Sequence, residues 1–231
     1  MHLYIGNKVY SSWSFRPWIM LRHLGVPFAE TVIQLRDGST RDRILQHSPS
    51  GKVPCLVDGD VTVWDSLAIL EYLAERFPDR SIWPADPKAR AFARAVSAEM
   101  HSGFQALRGQ CPMTITKRYA AKARSPEVMA DVARITAIWT EARERFGAKA
   151  AGGAAGPFLF GAFTAADAMY APVVSRLHSY STPLDANAQA YVAAMRTLPA
   201  YRDWVAGAVA EPWEIGEVDE PVIENLRQKK A

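Results

Sequence analysis

Three short stretches of this 231-residue chain carry side chains able to hold and activate a small ligand. The first is Tyr10-Ser11-Ser12-Trp13-Ser14-Phe15-Arg16-Pro17-Trp18. A hydroxyl just ahead of a helix caps free backbone N–H groups, and those N–H groups with the helix dipole also favour an anion in front of them. Capping alone accounts for these serines, and a bound thiolate is the sharper alternative. A serine hydroxyl ionises too reluctantly to act as a base without a partner. Its O–H can still donate a charge-assisted hydrogen bond to sulfur and lower a thiol pKa from roughly 8.5. No cysteine lies in this turn, which argues against a dithiol oxidoreductase. The second stretch is Gly51-Lys52-Val53-Pro54-Cys55-Leu56, with a proline at the start of a strand. Proline is tolerated there for structural reasons. The functional reading is that Val53 offers its N–H and C=O to an extended peptide, which pairs like an added strand. The third is Trp64-Asp65-Ser66-Leu67-Ala68-Ile69-Leu70. Either Asp65 or Ser66 caps the helix that follows, or Ser66 binds a carboxylate at the positive helix end while Asp65 accepts from an ammonium. A ligand with both groups is an amino acid.

These residues need elements to hold them. Leu3-Tyr4-Ile5 predicts a strand, residues 14–24 a helix closed by Gly25, and residues 28–35 a second strand. A polar helical stretch near 39–46, a strand at 54–57, the turn Asp58-Gly59-Asp60 into a strand at 61–64, and a helix at 66–76 follow. The order βαβ-α-ββ-α makes residues 1–78 a small α/β domain. Pro78, Pro84 and Pro87, without periodicity, mark residues 79–87 as a linker. Residues 88–231 read as an all-helical domain. Helices are expected over 88 to about 123 with a break at Pro112, from Pro126 after Ser125 to about 146, and over 164–177, 186–198 and 199–209. A glycine-rich loop is expected at 152–156, and a partly ordered tail from Glu211. Thr164 and Asp167 have the spacing of a reciprocal capping box, a structural motif.

Composition narrows the function classes. With 22% charged and 49% hydrophobic residues, the chain is globular with a real core, which excludes disorder, collagen and coiled coil. The longest uncharged stretch, 150–166, has 17 residues including four Gly and one Pro, short of the roughly 20 apolar residues of a spanning helix. The first residues lack a basic region followed by a long apolar run, so a cytoplasmic protein without membrane partners is expected. Cys55 and Cys111 have neither disulfide-framework, zinc nor redox spacing, so reduced thiols and no metal are expected. The net charge is only +3 and no Lys/Arg run exceeds Lys229-Lys230, which leaves no footprint for nucleic acid.

Taken jointly, the three stretches fit a thiol, a peptide backbone and an α-amino acid end, which describes glutathione as the cosubstrate. They resemble the N-terminal domain of the cytosolic glutathione S-transferases, with Asp65-Ser66-Leu67-Ala68-Ile69-Leu70 at the family's glutathione-binding strand-to-helix motif. Ser11-Ser12-Trp13-Ser14-Phe15-Arg16 is similar to the Ser-Ser-Cys motif of the zeta class, the maleylacetoacetate isomerase type, and Phe163-Thr164-Ala165-Ala166-Asp167 to the family's capping motif. The resemblance covers nearly the whole chain. It implies a thioredoxin-like domain followed by an all-helical one, a cis Pro54 and a homodimer. It implies Ser11 as the catalytic hydroxyl with Ser12 as the neighbouring alternative. Lys52, Val53, Pro54, Asp65 and Ser66 would hold glutathione. Met100-His101-Ser102-Gly103-Phe104-Gln105-Ala106-Leu107-Arg108 would lie where the family builds its electrophile pocket, so Trp13, His101, Phe104 and Arg108 are the pocket candidates. A lone helical histidine is also commonly structural. The zeta pattern has cysteine where Trp13 stands; this departure bears on isomerisation and leaves the thiol-activating serine in place. The expected activity is conjugation of the thiolate to a hydrophobic electrophile. The alternatives are glutathione-dependent cis-trans isomerisation and a non-catalytic binding module.

Overall fold

The computed structural model describes residues 1–147, 156–216 and 218–228. Residues 152–155 of the loop expected at 152–156, and the last three residues, lie outside them. Strands β1 (His2–Gly6), β2 (Ala29–Ile33), β3 (Cys55–Asp58) and β4 (Val61–Trp64) form one sheet in the order β2-β1-β3-β4. β1 runs parallel to β2 and antiparallel to β3, so Leu3 faces Glu30 on one side and Leu56 on the other. Alternation places Leu3 and Ile5 on one face, and both are fully buried, as is Leu56. Helices α1 (Ser12–His23) and α3 (Ser66–Arg76) flank the sheet, and α2 (Thr40–Leu45) follows β2. Ile69, Leu70 and Leu73 put the apolar stripe of α3 inside. α1 begins two residues ahead of its expected start, because Ser11 rather than a later residue is its cap.

The rest of the chain is chiefly helical: α4 (Pro87–Ser102), α5 (Gln105–Gln110), α6 (Pro126–Ala142), α7 (Ala165–Ser179), α8 (Ala186–Thr197) and α9 (Pro199–Ala210). Asp86 and Ser125 cap helices that each have proline in the first turn. Two expectations need correction here. The helix expected over 88–123 stops at Gly103, where a Cβ would stand 2.8 Å from the Glu99 carbonyl oxygen, and Phe104 then takes a left-handed φ of 58°. The all-helical expectation also misses a two-stranded ribbon, β5 (Lys117–Tyr119) with β6 (Val222–Asn225), which ties down the tail. The β-branched run Thr114-Ile115-Thr116 leading into β5 is its local signal.

α7 is the centre of the helical part: every residue in it except His178 is buried. Ala165, Ala166, Ala168 and Ala171 keep its surface low enough for α1 and α4 to pack against it. A second contact fixes the loop that carries Ser11. The Lys8 ammonium pairs with Glu30 and lies 5.0 and 5.7 Å from the ring centres of Trp18 and Trp204. Trp204 Nε1 donates to the Lys8 carbonyl at 2.9 Å, and Glu211 accepts from the Lys8 N–H at 2.7 Å. The β1–α1 loop is thereby pinned to α9 and the residues after it.

Candidate functional site

A cleft of about 550 Å³ opens where the sheet domain meets α4. Its walls gather seven of the residues singled out in the sequence: Trp13, Lys52, Val53, Pro54, Asp65, Ser66 and His101. Trp64, the first residue of the third stretch, and Ser50, which sequence reasoning passed over, also line it. Ser11 and Ser12 are buried beside Trp13 and do not form its wall. Phe104 belongs to the apolar core at 7% exposure. Arg108 reaches the site indirectly, with its guanidinium 4.5 Å from the Trp13 ring centre.

The first turn of α1 is a hydroxyl cluster. Ser11 Oγ donates to Ser14 Oγ at 2.7 Å and accepts from the Ser14 N–H at 3.4 Å, while the Gly6 N–H donates to Ser14 Oγ at 3.0 Å. Ser12 Oγ and the Trp13 N–H have no hydrogen-bond partner among the described residues. A helix N-terminus with spare donors is a place for an anion.

On the facing wall, the Val53–Pro54 bond is cis, and the Val53 N–H and C=O make no backbone hydrogen bond among the described residues. At the start of α3, Asp65 caps the helix by accepting from the Leu67 N–H at 2.9 Å. Its φ of 75° is a left-handed conformation that costs a non-glycine residue energy. The other Asp65 oxygen lies 3.4 Å from His101 Nε2, so α4 closes over the helix end. His101 Nδ1 is buried without a partner among the described residues, and its ring meets the Trp13 ring edge-on at 5.2 Å.

Behind the cleft stand three guanidinium groups. Arg16 is buried and donates to Ser66 Oγ at a long 3.4 Å, and its Nε has no partner among the described residues. Its guanidinium lies 4.2 Å from the Trp13 ring centre, so Arg16 and Arg108 both lean on that indole. Burial pushes the Arg16 pKa down to about 9, with the charges of Arg176 and Arg108 adding to the effect. Arg176 is pushed down to about 10 for the same two reasons, burial first and then Arg108. All three remain cations at neutral pH, so the low-dielectric floor is positive, which favours a thiolate or carboxylate in front of it. Arg176 gave no signal in the sequence because its role depends on a helix distant in the chain. Among the described residues no group of three or more His, Cys, Asp and Glu side chains is placed to hold a metal.

Residues 10–76 match the model of the glutathione S-transferase N-terminal domain. A probable maleylacetoacetate isomerase of Caenorhabditis elegans is 40% identical over 98 residues, 42% of this chain and 45% of that protein. A zeta-class glutathione S-transferase of Euphorbia esula is 37% identical over 98 residues, 42% of this chain and 44% of that protein. The matched stretch thus spans under half the length of these curated relatives. Among solved structures, a glutathione transferase homolog from Burkholderia with bound glutathione superposes with a TM-score of 0.66 at 24% identity, covering 91% of this chain and 98% of that one. The chain carries a glutathione S-transferase N-terminal domain within the glutathione S-transferase fold, and it resembles the zeta-class members of that family.

Proposed function

We propose that this protein is a glutathione transferase: it binds glutathione, holds it as the thiolate and adds the sulfur to a hydrophobic electrophile. The observation that carries the reading is the meeting of two helix N-termini and an unpaired strand edge in one cleft, at Trp13, Val53 and Ser66. In this reading Ser11 stabilises the thiolate and Val53 pairs with the peptide backbone. Asp65 and Ser66 hold the ammonium and carboxylate of the γ-glutamyl end, and Lys52 and Pro54 complete that wall. Trp13, His101 and Arg108, with Phe104 behind them, shape the space for the electrophile. The cosubstrate is the nucleophile, so no covalent enzyme intermediate forms. The protein acts as a cytoplasmic homodimer, with residues 1–78 binding glutathione, 79–87 as linker and 88–231 supplying the electrophile pocket.

A second reading is glutathione-dependent cis-trans isomerisation of a maleyl-type diacid, in which the thiolate adds to and leaves a conjugated double bond. What favours it is the pair of guanidinium groups against Trp13, which would compensate the carboxylates of such a substrate for lost hydration. The bulk of Trp13 favours flat apolar electrophiles instead. Calorimetry with glutathione, followed by turnover of an aromatic halide and of a maleyl-type diacid in one preparation, tests both. Conjugation with negligible isomerisation is expected; the reverse would restore the isomerase reading, and absence of glutathione binding would remove both.

A further inference from the structure

The Ser11 hydroxyl stands at the end of a tight turn over residues 7–11, and the far end of the chain holds that turn. It closes on itself through the Tyr10 and Ser11 N–H groups, which both donate to the Asn7 carbonyl, at 3.1 and 2.8 Å. Its two central N–H groups, of Lys8 and Val9, look outward, as the central amides of a turn do. One carboxylate meets both: Lys8 N–H donates to Glu211 Oε1 at 2.7 Å and Val9 N–H to Glu211 Oε2 at 3.4 Å. Successive backbone N–H groups around a carboxylate form a charge-assisted contact that orients the peptide planes carrying them. The carbonyls of the same two residues accept from Trp204 Nε1 at 2.9 Å and from the Ile115 N–H at 3.2 Å. The Tyr10 hydroxyl accepts from the Ile215 N–H at 3.0 Å. The turn thus hangs from the sheet at one end and is fixed along its length by the helical part and the tail.

Glu211 is itself fixed. It is the residue after α9, and the Arg227 guanidinium caps that helix end. Arg227 Nε and Nη2 donate to the Ala208 carbonyl at 3.3 and 3.2 Å, Nη1 donates to the Trp213 carbonyl at 2.9 Å, and Nη2 also donates to the Glu211 carbonyl. Arg227 follows β6, whose pairing with β5 returns the tail to this place. A second tether of the same tail is the two-bond ion pair of Arg124 with Glu220, both side chains being 7% exposed, and its bonds reach neither the turn nor the cleft. In the proposed reading Val53, Asp65 and Ser66 bind the rest of the ligand, and Glu211 bonds to none of them. A hydrogen bond to sulfur weakens steeply with misalignment, so a turn displaced by about 1 Å costs rate while the other ligand contacts persist.

We infer that Glu211, 203 residues after Lys8 in the chain, is a positioning residue for thiol activation: it holds the Lys8 and Val9 amides and so aims the Ser11 hydroxyl at the sulfur. The inference rests on the glutathione-transferase reading. The test follows three quantities in the full chain and its variants: thiolate absorbance of bound glutathione against pH, turnover of an aromatic halide, and S-hexylglutathione affinity by calorimetry. S-hexylglutathione has no ionisable sulfur, so its affinity reads the rest of the site. Glu211→Ala should raise the pKa of bound glutathione by about one unit and lower kcat about tenfold, with S-hexylglutathione affinity within about twofold of the unaltered chain. Glu211→Asp keeps the charge but falls one methylene short, and should show the same defect. Glu211→Gln keeps an oxygen for the Lys8 N–H and should recover most of the loss. Glu220→Gln, which unties the tail at its other tether, should lower the thermal transition and leave the thiol pKa unchanged. The inference is overturned if Glu211→Ala and Glu211→Asp keep the original thiol pKa, or if Glu211→Gln is as impaired as the alanine variant. An equal pKa shift in Glu220→Gln would also overturn it, in favour of an effect of the tail as a whole. Failure of the unaltered chain to bind S-hexylglutathione would instead overturn the glutathione reading, and this inference with it.

Discussion

Under the proposed function, the Ser11 and Ser14 hydroxyls at the start of α1 would decide how the thiol is handled. Ser11 donates to Ser14, and Ser14 also accepts from the Gly6 N–H, which leaves the fully buried Ser14 proton without an acceptor among the described residues. Turning both hydroxyls about their C–O bonds reverses the link. Ser14 then donates to Ser11, and the Ser11 proton is free to point at sulfur, backed by a chain running from the Gly6 N–H. Ser11→Ala should therefore raise the pKa of bound glutathione and cut kcat/KM by about 10- to 100-fold, the worth of one charge-assisted hydrogen bond of roughly 1.5–3 kcal/mol. Ser14→Ala should cost less, because it removes only the backing. Thiolate absorbance of the bound cosubstrate measures both, and loss in Ser12→Ala with full activity in Ser11→Ala would transfer the role to Ser12. At Asp65, alanine would remove both the helix cap and the charge, so Asp65→Asn is the cleaner probe. It keeps an acceptor for the Leu67 N–H and tolerates the positive φ. Glutathione affinity should fall about tenfold, with the thermal transition nearly unmoved. Ser11, Trp13, Asp65 and Ser66 were legible because a helix start is a local signal in sequence. Ser14 was not, because its role depends on what lies opposite it in space.

At the level of elements, Asp167 does more than its spacing announces. The capping box with Thr164 is present, and Asp167 also accepts from the Leu159 N–H at 3.0 Å and from the Tyr191 hydroxyl of α8 at 3.0 Å. One fully buried carboxylate thus joins the turn before α7, α7 itself and α8. Asp167→Ala would strand several buried donors at once and should lower stability by about 3 kcal/mol or more, against about 1 kcal/mol for a simple cap loss. Urea unfolding measures the loss, and glutathione affinity of the folded fraction should not change. The same residue gives a pH signature. Burial holds its pKa up at about 6, against roughly 3.9 in an unfolded chain. Between those values the folded state binds more protons, so this contribution to stability is fullest below pH 4 and declines as pH rises through 6. Asp167→Asn should flatten that decline in a series of unfolding curves. The capping box was readable from two letters three apart, whereas Leu159 and Tyr191 could not be paired with it without the fold. The same limit hid the β5–β6 ribbon, since a three-residue strand whose partner follows about 100 residues later carries no periodicity to detect.

For the whole molecule, the α/β half was legible because each strand and helix has its own local pattern. The joint between the halves was not, because it depends on single long-range contacts such as Lys8 with Trp204. That joint places the cleft at the boundary of the two parts, with one side of the sheet left open. β4 is an edge strand and carries Val61 at 39% and Trp64 at 46% exposure, the latter also lining the cleft. A bare edge with exposed apolar side chains is costly unless covered, and the proposed homodimer would cover it with the helical part of a second copy. Light scattering should then give twice the 25.5 kDa chain mass. Trp64→Glu, which sets a charge at that edge without touching the core, should return the mass to a single chain and weaken glutathione binding together with it. A dimer that survives Trp64→Glu would move the interface elsewhere, and a monomeric wild type at micromolar concentration would leave the cleft complete within one chain.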